Sequence, residues 1–268
     1  MREEFSVSEL CETLEVSRSG FYKYCDGESS NRERENQEIL AAIEAIRQEP
    51  YKDKYGSPRM TIELQNRGIS CSENRVARIM AKAKIDATAS AKFKPKTTVP
   101  DTQKEPSPNL VKDQTASKPG EILINDITYV ATKEGWLYLA VTIDLFTRQV
   151  LGWTISENMK AKIVVEALDK ASTHGIIGEH TIYHSDRGSQ YTSKKLRNWL
   201  KIHKISQSMS ALGYCYDNAA CESFFSTLKR EAFPDGCVFE NRITARREIF
   251  KYIETFYNRE RILSLIHI

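Results

Sequence analysis

The chain has 268 residues, 40% of them apolar and 28% charged, with a net charge of +3. That length can bury a sizeable core in one large or two modest domains. The longest apolar run, Trp136 to Val141, is six residues, where a membrane helix needs about 20; the acidic start MREEFSVSEL is no secretory signal.

Ten Phe, twelve Tyr and three Trp argue against low-complexity disorder. The six cysteines form no CxxC pair and no structural-zinc set, so reduced thiols in the cytoplasm are the plain reading. The overall charge hides a division. Residues 1–51 carry 6 basic and 12 acidic side chains, whereas 52–96 carry 11 basic and 4 acidic. A concentrated basic block suits a polyanion such as DNA; the alternative is a solvated helical face with a charged linker.

In chain order, residues 6–24 predict two short helices around a turn, the size of a helix-turn-helix unit. Ser6 or Ser8 caps the first, with Val7, Leu10, Cys11 and Leu14 on its apolar face. Phe21 and Tyr22 anchor the second. Residues 31–48 predict an amphipathic spacer helix with apolar positions at 39, 40, 43 and 46, stopping before Pro50. A second helical pair spans 51–86. Ser57 caps its first helix ahead of Pro58, Ile62 and Leu64 are the buried candidates, and Gly68 closes it. Ser72 starts the next, with Val76, Ile79 and Met80 inside and Arg75, Arg78 and Lys82 outside. A recognition helix needs such a cationic face toward phosphates. Residues 87–118, rich in Pro, Ser, Thr and Lys, read as a linker. The expected division is therefore 1–50, 51–86, a linker at 87–118, and a core at 119–268.

Beyond residue 120 the pattern changes. EILINDITYV, WLYLAVTID and QVLGWTIS predict an antiparallel meander. Helices at 160–173 and 193–202 alternate with strands TIYHS and ISQSM, and two long helical patterns follow at 217–232 and 243–257. The class is α/β, a mixed sheet with helices packed on it. Trp136 and Trp153 are expected in the core.

Three carboxylates stand out. Asp126 interrupts a nearly apolar strand, where a lone buried charge needs a partner or a cation. Asp186 follows TIYHS and opens a Gly-containing loop, a common functional placement. Glu222 shares one helical stripe with Asn218, Ser226 and Lys229, beside the stripe of Cys221, Phe225, Leu228 and Ala232 that faces the sheet. At 4 Å each pair of such charges repels by about 1 kcal/mol in water and about 4 kcal/mol at an effective dielectric of 20, so three converging carboxylates stay ionised together only with cations. Oxygen-only ligands with open positions select Mg²⁺, with Mn²⁺ as substitute, and two such ions can act on a phosphodiester. Lys229 can then meet a DNA phosphate. Asp144 reads as a turn cap, His184 as a structural or an assisting histidine, His174 and His180 as surface, and Arg187 as a DNA contact or a structural ion pair. Tyr214, Tyr216 and Asp217 shape the loop before the Glu222 helix.

Between Asp186 and Glu222 lie 35 residues. That spacing, with NDITY, EGWLYLAVTIDLFTR, HSDRGSQYTS, QSMS and YDNAACESFFSTLKRE, resembles the OrfB-type transposases of bacterial insertion sequences, members of the retroviral-integrase-like DDE group. VSRSGFYKY and YGSPRMTIEL resemble that family's amino-terminal helical modules. The resemblance implies a five-stranded RNase H-like core preceded by all-α helix-turn-helix modules. It implies Asp126, Asp186 and Glu222 as catalytic metal ligands, two Mg²⁺ ions, and cleavage and strand transfer without a covalent protein–DNA intermediate. It also implies DNA, an OrfA-type upstream-frame protein or fusion, and further copies of the chain as partners. The candidate DNA contacts are Arg18, Arg59, Arg75, Arg78, Lys82, Arg187 and Lys229. Tyr257, Asn258 and Arg261 fit the family, whereas Leu263 stands where a His is expected. That departure implies a truncated or altered end, and with it the alternative of an inactive relative that acts as a DNA-binding regulator.

Overall fold

The computed structural model describes residues 6–25, 30–85, 107–112, 114–210 and 218–263. The chain divides into two compact units, 1–88 and 89–268. The loop residues Tyr214, Tyr216 and Asp217, and Lys92, Lys94 and Lys96 of the basic block, lie outside the described residues.

The first unit is all helix. Helix α1 (Val7–Thr13) begins on a reciprocal Ser6–Glu9 capping box, and α2 (Arg18–Cys25) follows. Of the expected apolar face only Cys11 is buried; Leu14 is 63% and Tyr22 46% exposed. Helices of seven and eight residues offer each other a single inner row, so the flanking apolar positions stay in solvent. Helix α3 (Asn31–Arg47) buries Ile39, Ile43 and Ile46, one stripe at helical spacing. Helix α4 (Ser57–Asn66) is capped by Gly56 rather than Ser57, one residue earlier than the sequence predicts. It buries Met60, Thr61 and Leu64. Ile62 is only half-buried because two residues turn it about 200° from Met60. Helix α5 (Glu73–Lys82) starts on the Ser72 side chain and buries Val76, Ile79 and Met80, as its pattern predicts.

The second unit is a mixed sheet with helices packed on it. Strands β1 (Ile122–Thr132), β2 (Gly135–Asp144) and β3 (Val150–Ser156) form an antiparallel meander. Strands β4 (Ile182–Ser185) and β5 (Ser206–Met209) add in parallel, giving the order β3-β2-β1-β4-β5. A sixth strand, β6 (Val238–Phe239), pairs with the far end of β1; two residues carry no periodic signal, so the sequence gives no hint of it. Helices α6 (Ala161–Ser172) and α7 (Lys194–Ile202) cover one face over Leu123, Ala140, Leu151, Tyr183 and Met209. Gly152 makes this approach possible, since a Cβ there would fall 2.0 Å from the Ala167 carbonyl oxygen. The alternate residues Ile122, Ile124, Val130, Leu139 and Val141 are buried on the opposite face. Helices α8 (Ala219–Ala232) and α9 (Arg242–Lys251) also pack on the sheet, both touching β1.

Helix α9 runs into one π turn, Tyr252–Tyr257. Asn258 then serves the outer strand as a partner: its Oδ1 accepts from Val150 N at 3.0 Å and its Nδ2 donates to Val150 O at 2.9 Å. Both tryptophan expectations need correction. Trp136 is 45% exposed at the start of β2, edge-on to Tyr129 with ring centroids 5.8 Å apart. Trp153 is half-buried and donates from Nε1 to Glu254 at 2.7 Å.

Candidate active site

Strand register assembles the site. In the parallel pair of β1 and β4, Asn125 lies opposite Ser185. One residue further, Asp126 and Asp186 stand side by side where β4 ends, on strands about 4.8 Å apart. The same edge of β1 meets β6 only from Ala131 onward, so Asp126 lies where that edge opens. It shares a face with Ile124 and Thr128, the buried face opposite α6 and α7.

The two carboxylates are half-buried and held by short-range donors. Asp126 Oδ1 accepts from Ile127 N at 2.7 Å, and Asp186 Oδ1 accepts from Gly188 N at 2.9 Å. Gly188 keeps that loop tight: a Cβ there would stand 3.1 Å from Asp186 Oδ1 and 2.9 Å from Gln190 Oε1. Glu222 lies exposed on α8, yet its charge reaches Asp126. Burial first, then the Asp186 and Glu222 charges, push the Asp126 pKa up to about 7, against the Ile127 N–H and the Asn218 side chain. Burial also raises Asp186, opposed by the Gly188 N–H. On the same helix Lys229 is half-buried, and burial lowers its pKa while Asp126 and Cys237 pull it back up.

Asp126, Asp186, Glu222 and Lys229 therefore share one electrostatic neighbourhood. The donor chemistry of the three carboxylates fits a hard divalent ion: oxygens only, with mutual repulsion that a cation relieves. Among the described residues no group of three or more His, Cys, Asp or Glu side chains is drawn into a ready-made cage; exposed Glu222 is the carboxylate with room to move.

In the metal-free protein the raised Asp126 has a definite sign. Its folded pKa stands above the unfolded value of about 3.9, so this carboxyl stabilises the fold fully below pH ~4. The contribution is lost as pH rises through about 7. Asp126→Asn removes the titration, so the melting temperature of the variant minus that of the parent will grow between pH ~5 and 8 in EDTA. A pH-independent difference would contradict this placement of Asp126.

The neighbours settle other expectations. Asp144 is fully buried and accepts from Gly120 N, Thr147 N and Thr147 Oγ1 at 2.9, 2.8 and 2.7 Å, a turn cap as its sequence context predicts. His184 is buried between Ser208 and Ser210 hydroxyls, each 2.9 Å from a ring nitrogen, which is a structural placement. His174 and His180 are exposed. Arg187 donates from Nε to the Ser210 carbonyl at 2.8 Å. Tyr191 places a buried hydroxyl, without a hydrogen-bond partner among the described residues, in the field of Asp126 and Asp186. Sequence reasoning missed this residue, since a Tyr in a loop carries no distinguishing signal.

In the first unit the basic block is partly spent on internal pairs. Lys52 is buried against Glu49 and Glu63, both at 2.9 Å, and Arg67 reaches the same two carboxylates at 2.7 Å. Arg75 donates to Asn36 Oδ1 and to Glu35 Oε2, each at 2.8 Å, so it ties α5 to α3. Arg18 binds the Ser8 hydroxyl, and Arg59 is half-buried. Arg78 and Lys82 are exposed and, with Arg32 and Arg75, line a cleft of about 670 Å³ between α3 and α5.

The sheet order and the strand-end carboxylates agree with an integrase core. Residues 116–215 match the family described as "Integrase core domain", residues 222–267 match a second family of the same description, and residues 33–93 match "HTH-like domain". The chain is 40% identical over 264 residues to the "Transposase InsF for insertion sequence IS3A" of Escherichia coli (strain K12), covering 96% of this chain and 90% of that protein. It is 39% identical over 236 residues to the "Transposase for insertion sequence element IS904" of Lactococcus lactis, covering 87% and 92%. A solved structure of the HTLV-2 integrase catalytic core domain in complex with magnesium aligns at a TM-score of 0.39 and 13% identity, covering 52% of this chain and 90% of that one. The chain belongs to the IS3-type insertion-sequence transposases. Among the described residues no helix is long and apolar enough to cross a membrane.

Proposed function

We propose that this chain catalyses Mg²⁺-dependent cleavage at the ends of an insertion sequence and joins the released 3′-OH to target DNA. The observation that carries this reading is the strand register that sets Asp126 beside Asp186, with Glu222 close enough for its charge to act on Asp126. Asp126, Asp186 and Glu222 would hold the metal, which when bound stabilises the attacking and leaving oxygens of a phosphodiester. Water first opens the bond at the element end and leaves a 3′-OH. That hydroxyl then attacks a target phosphodiester in line, forming one P–O bond as another breaks. Lys229 places a cation beside the carboxylates, where a DNA phosphate needs one. Arg187, the residue after Asp186, is anchored through Nε on the Ser210 carbonyl. On this reading the chain works on DNA as a multimer with an upstream-frame protein.

The first unit on this reading binds element-end DNA through α5. Each phosphate contact contributes about −0.9 to the slope of log affinity against log salt. Arg78→Ala with Lys82→Ala will therefore flatten the slope by about 1.8. An unchanged slope in a filter-binding titration would remove α5 from the interface.

The function itself is tested with purified protein and a duplex carrying an element end. Nicked ends and joined products in Mg²⁺, and neither in EDTA, are expected. Sequence-selective binding without joining under any divalent ion would overturn the enzymatic reading in favour of a DNA-binding regulator.

A further inference from the structure

One more side chain belongs to the carboxylate site. Asn218 sits immediately before α8, one helical turn ahead of Glu222, and is only 8% exposed. Asparagine favours this position in most helices because its Oδ1 accepts a backbone N–H of the first turn. Here it does not: the side chain makes no capping bond, and φ −108°, ψ 11° departs from the extended conformation that capping uses. The side chain instead lies close enough to the Asp126 carboxylate to stabilise its charge. Its Oδ1 is buried without a partner among the described residues. An unsatisfied buried acceptor is costly and points to a donor that the protein itself does not supply.

We propose that Asn218 is a positioning residue for the metal site, fixing the Asp126 carboxylate through Nδ2 and offering Oδ1 to a water carried in with the ion. Together with the Ile127 N–H, the amide gives Asp126 two donors that set the direction of its remaining lone pairs. Magnesium retains several of its waters when bound, and such a water supplies the proton that Oδ1 lacks. The same side chain couples the start of α8 to β1, so the helix bearing Glu222 is registered against the strand bearing Asp126. This inference rests on Asp126 being a metal ligand.

The test is Mn²⁺ titration of the full chain at pH ~8, reading the free-ion signal by electron paramagnetic resonance with melting temperature as the folding control. Asn218→Leu keeps the approximate volume and removes both polar atoms. Asn218→Ser keeps a small polar side chain at the helix start but is too short to reach Asp126. Loss of an outer partner of a metal ligand weakens metal binding roughly 10–100-fold, and that loss is expected in both variants while the Ser variant melts like the parent. A merely structural polar residue at the helix start predicts that Ser retains binding, and parent-like Mn²⁺ affinity in the Ser variant overturns the proposal. Asp126→Asn separates the two levels of the argument. If it binds Mn²⁺ as tightly as the parent, the ligand reading fails and Asn218 falls with it. If it loses binding while Asn218→Ser keeps it, only the Asn218 assignment fails.

Discussion

Glu222→Gln will reduce cutting and joining of element-end DNA by roughly a thousandfold or more in Mg²⁺, while leaving DNA binding and melting temperature near those of the parent. Glu222 is exposed on α8, so neutralising it creates no cavity and strands no buried charge. On the proposed function its effect on the rate comes through the ion. Metal stabilisation of the developing charges contributes several kcal/mol, and each 1.36 kcal/mol is tenfold in rate. Gln keeps the shape and one acceptor oxygen but loses the charge, and its amide presents donors toward a cation. The sharpest reading is single-turnover joining with pre-formed 3′-OH ends, which isolates the second chemical step. Parent-like joining by the Gln variant would remove Glu222 from the site.

Arg261→Ala will lower the melting temperature of the core by about 6–20 °C. Arg261 is 8% exposed, and its Nε and Nη2 donate to the two oxygens of Glu231 at 2.9 and 3.0 Å. Tyr252 donates its hydroxyl to the same carboxylate at 2.7 Å. Removing Arg261 leaves the buried Glu231 carboxylate with the Tyr252 hydroxyl and only the longer Arg230 contact at 3.5 Å, and breaking a buried pair costs about 3–5 kcal/mol. In a domain of this size 1 kcal/mol moves the midpoint by about 2–4 °C. Replacing both charges, with Glu231→Gln and Arg261→Met, will recover a large part of the loss because no lone buried charge remains. Calorimetric scans of the single and double variants decide this; a shift below about 2 °C for Arg261→Ala would show that the pair is solvated in solution.

This network also explains part of the family resemblance in the last helix. Glu231 lies on α8, nine residues after Glu222, so the Arg261 pair anchors the far end of the helix that carries the third carboxylate. Asn258 closes the edge of β3, and Tyr257 donates to the Arg148 carbonyl at 3.1 Å. The Tyr-Asn pair and Arg261 thus hold the C-terminal segment against the sheet.

What was legible in the sequence follows from the range of the interactions involved. Helix α5 was readable to the residue, since Ser72, Val76, Ile79 and Met80 form a local cap and a local stripe. Asp126 was conspicuous because a carboxylate in an apolar strand conflicts with its surroundings, and the parallel register then sets it beside Asp186. Glu231 was unreadable as buried: its partner lies 30 residues away, and a Glu near the end of an amphipathic helix looks like any solvated charge. Arg75 misled for the same reason, since its placement on a cationic face said nothing of the Glu35 and Asn36 waiting on α3. Asn218 shared the Glu222 stripe, but its failure to cap α8 and its closeness to Asp126 are tertiary features that spacing does not encode.

The central claim is that Asp126 and Asp186, with Glu222, chelate a divalent ion. Crystals of the protein with element-end DNA grown in Mn²⁺ test it through anomalous scattering. The account predicts an anomalous peak about 2.1 Å from carboxylate oxygens of both Asp126 and Asp186, with Glu222 turned toward it. Mn²⁺ bound elsewhere, with the three carboxylates pointing to separate surfaces and no density between them, would contradict it.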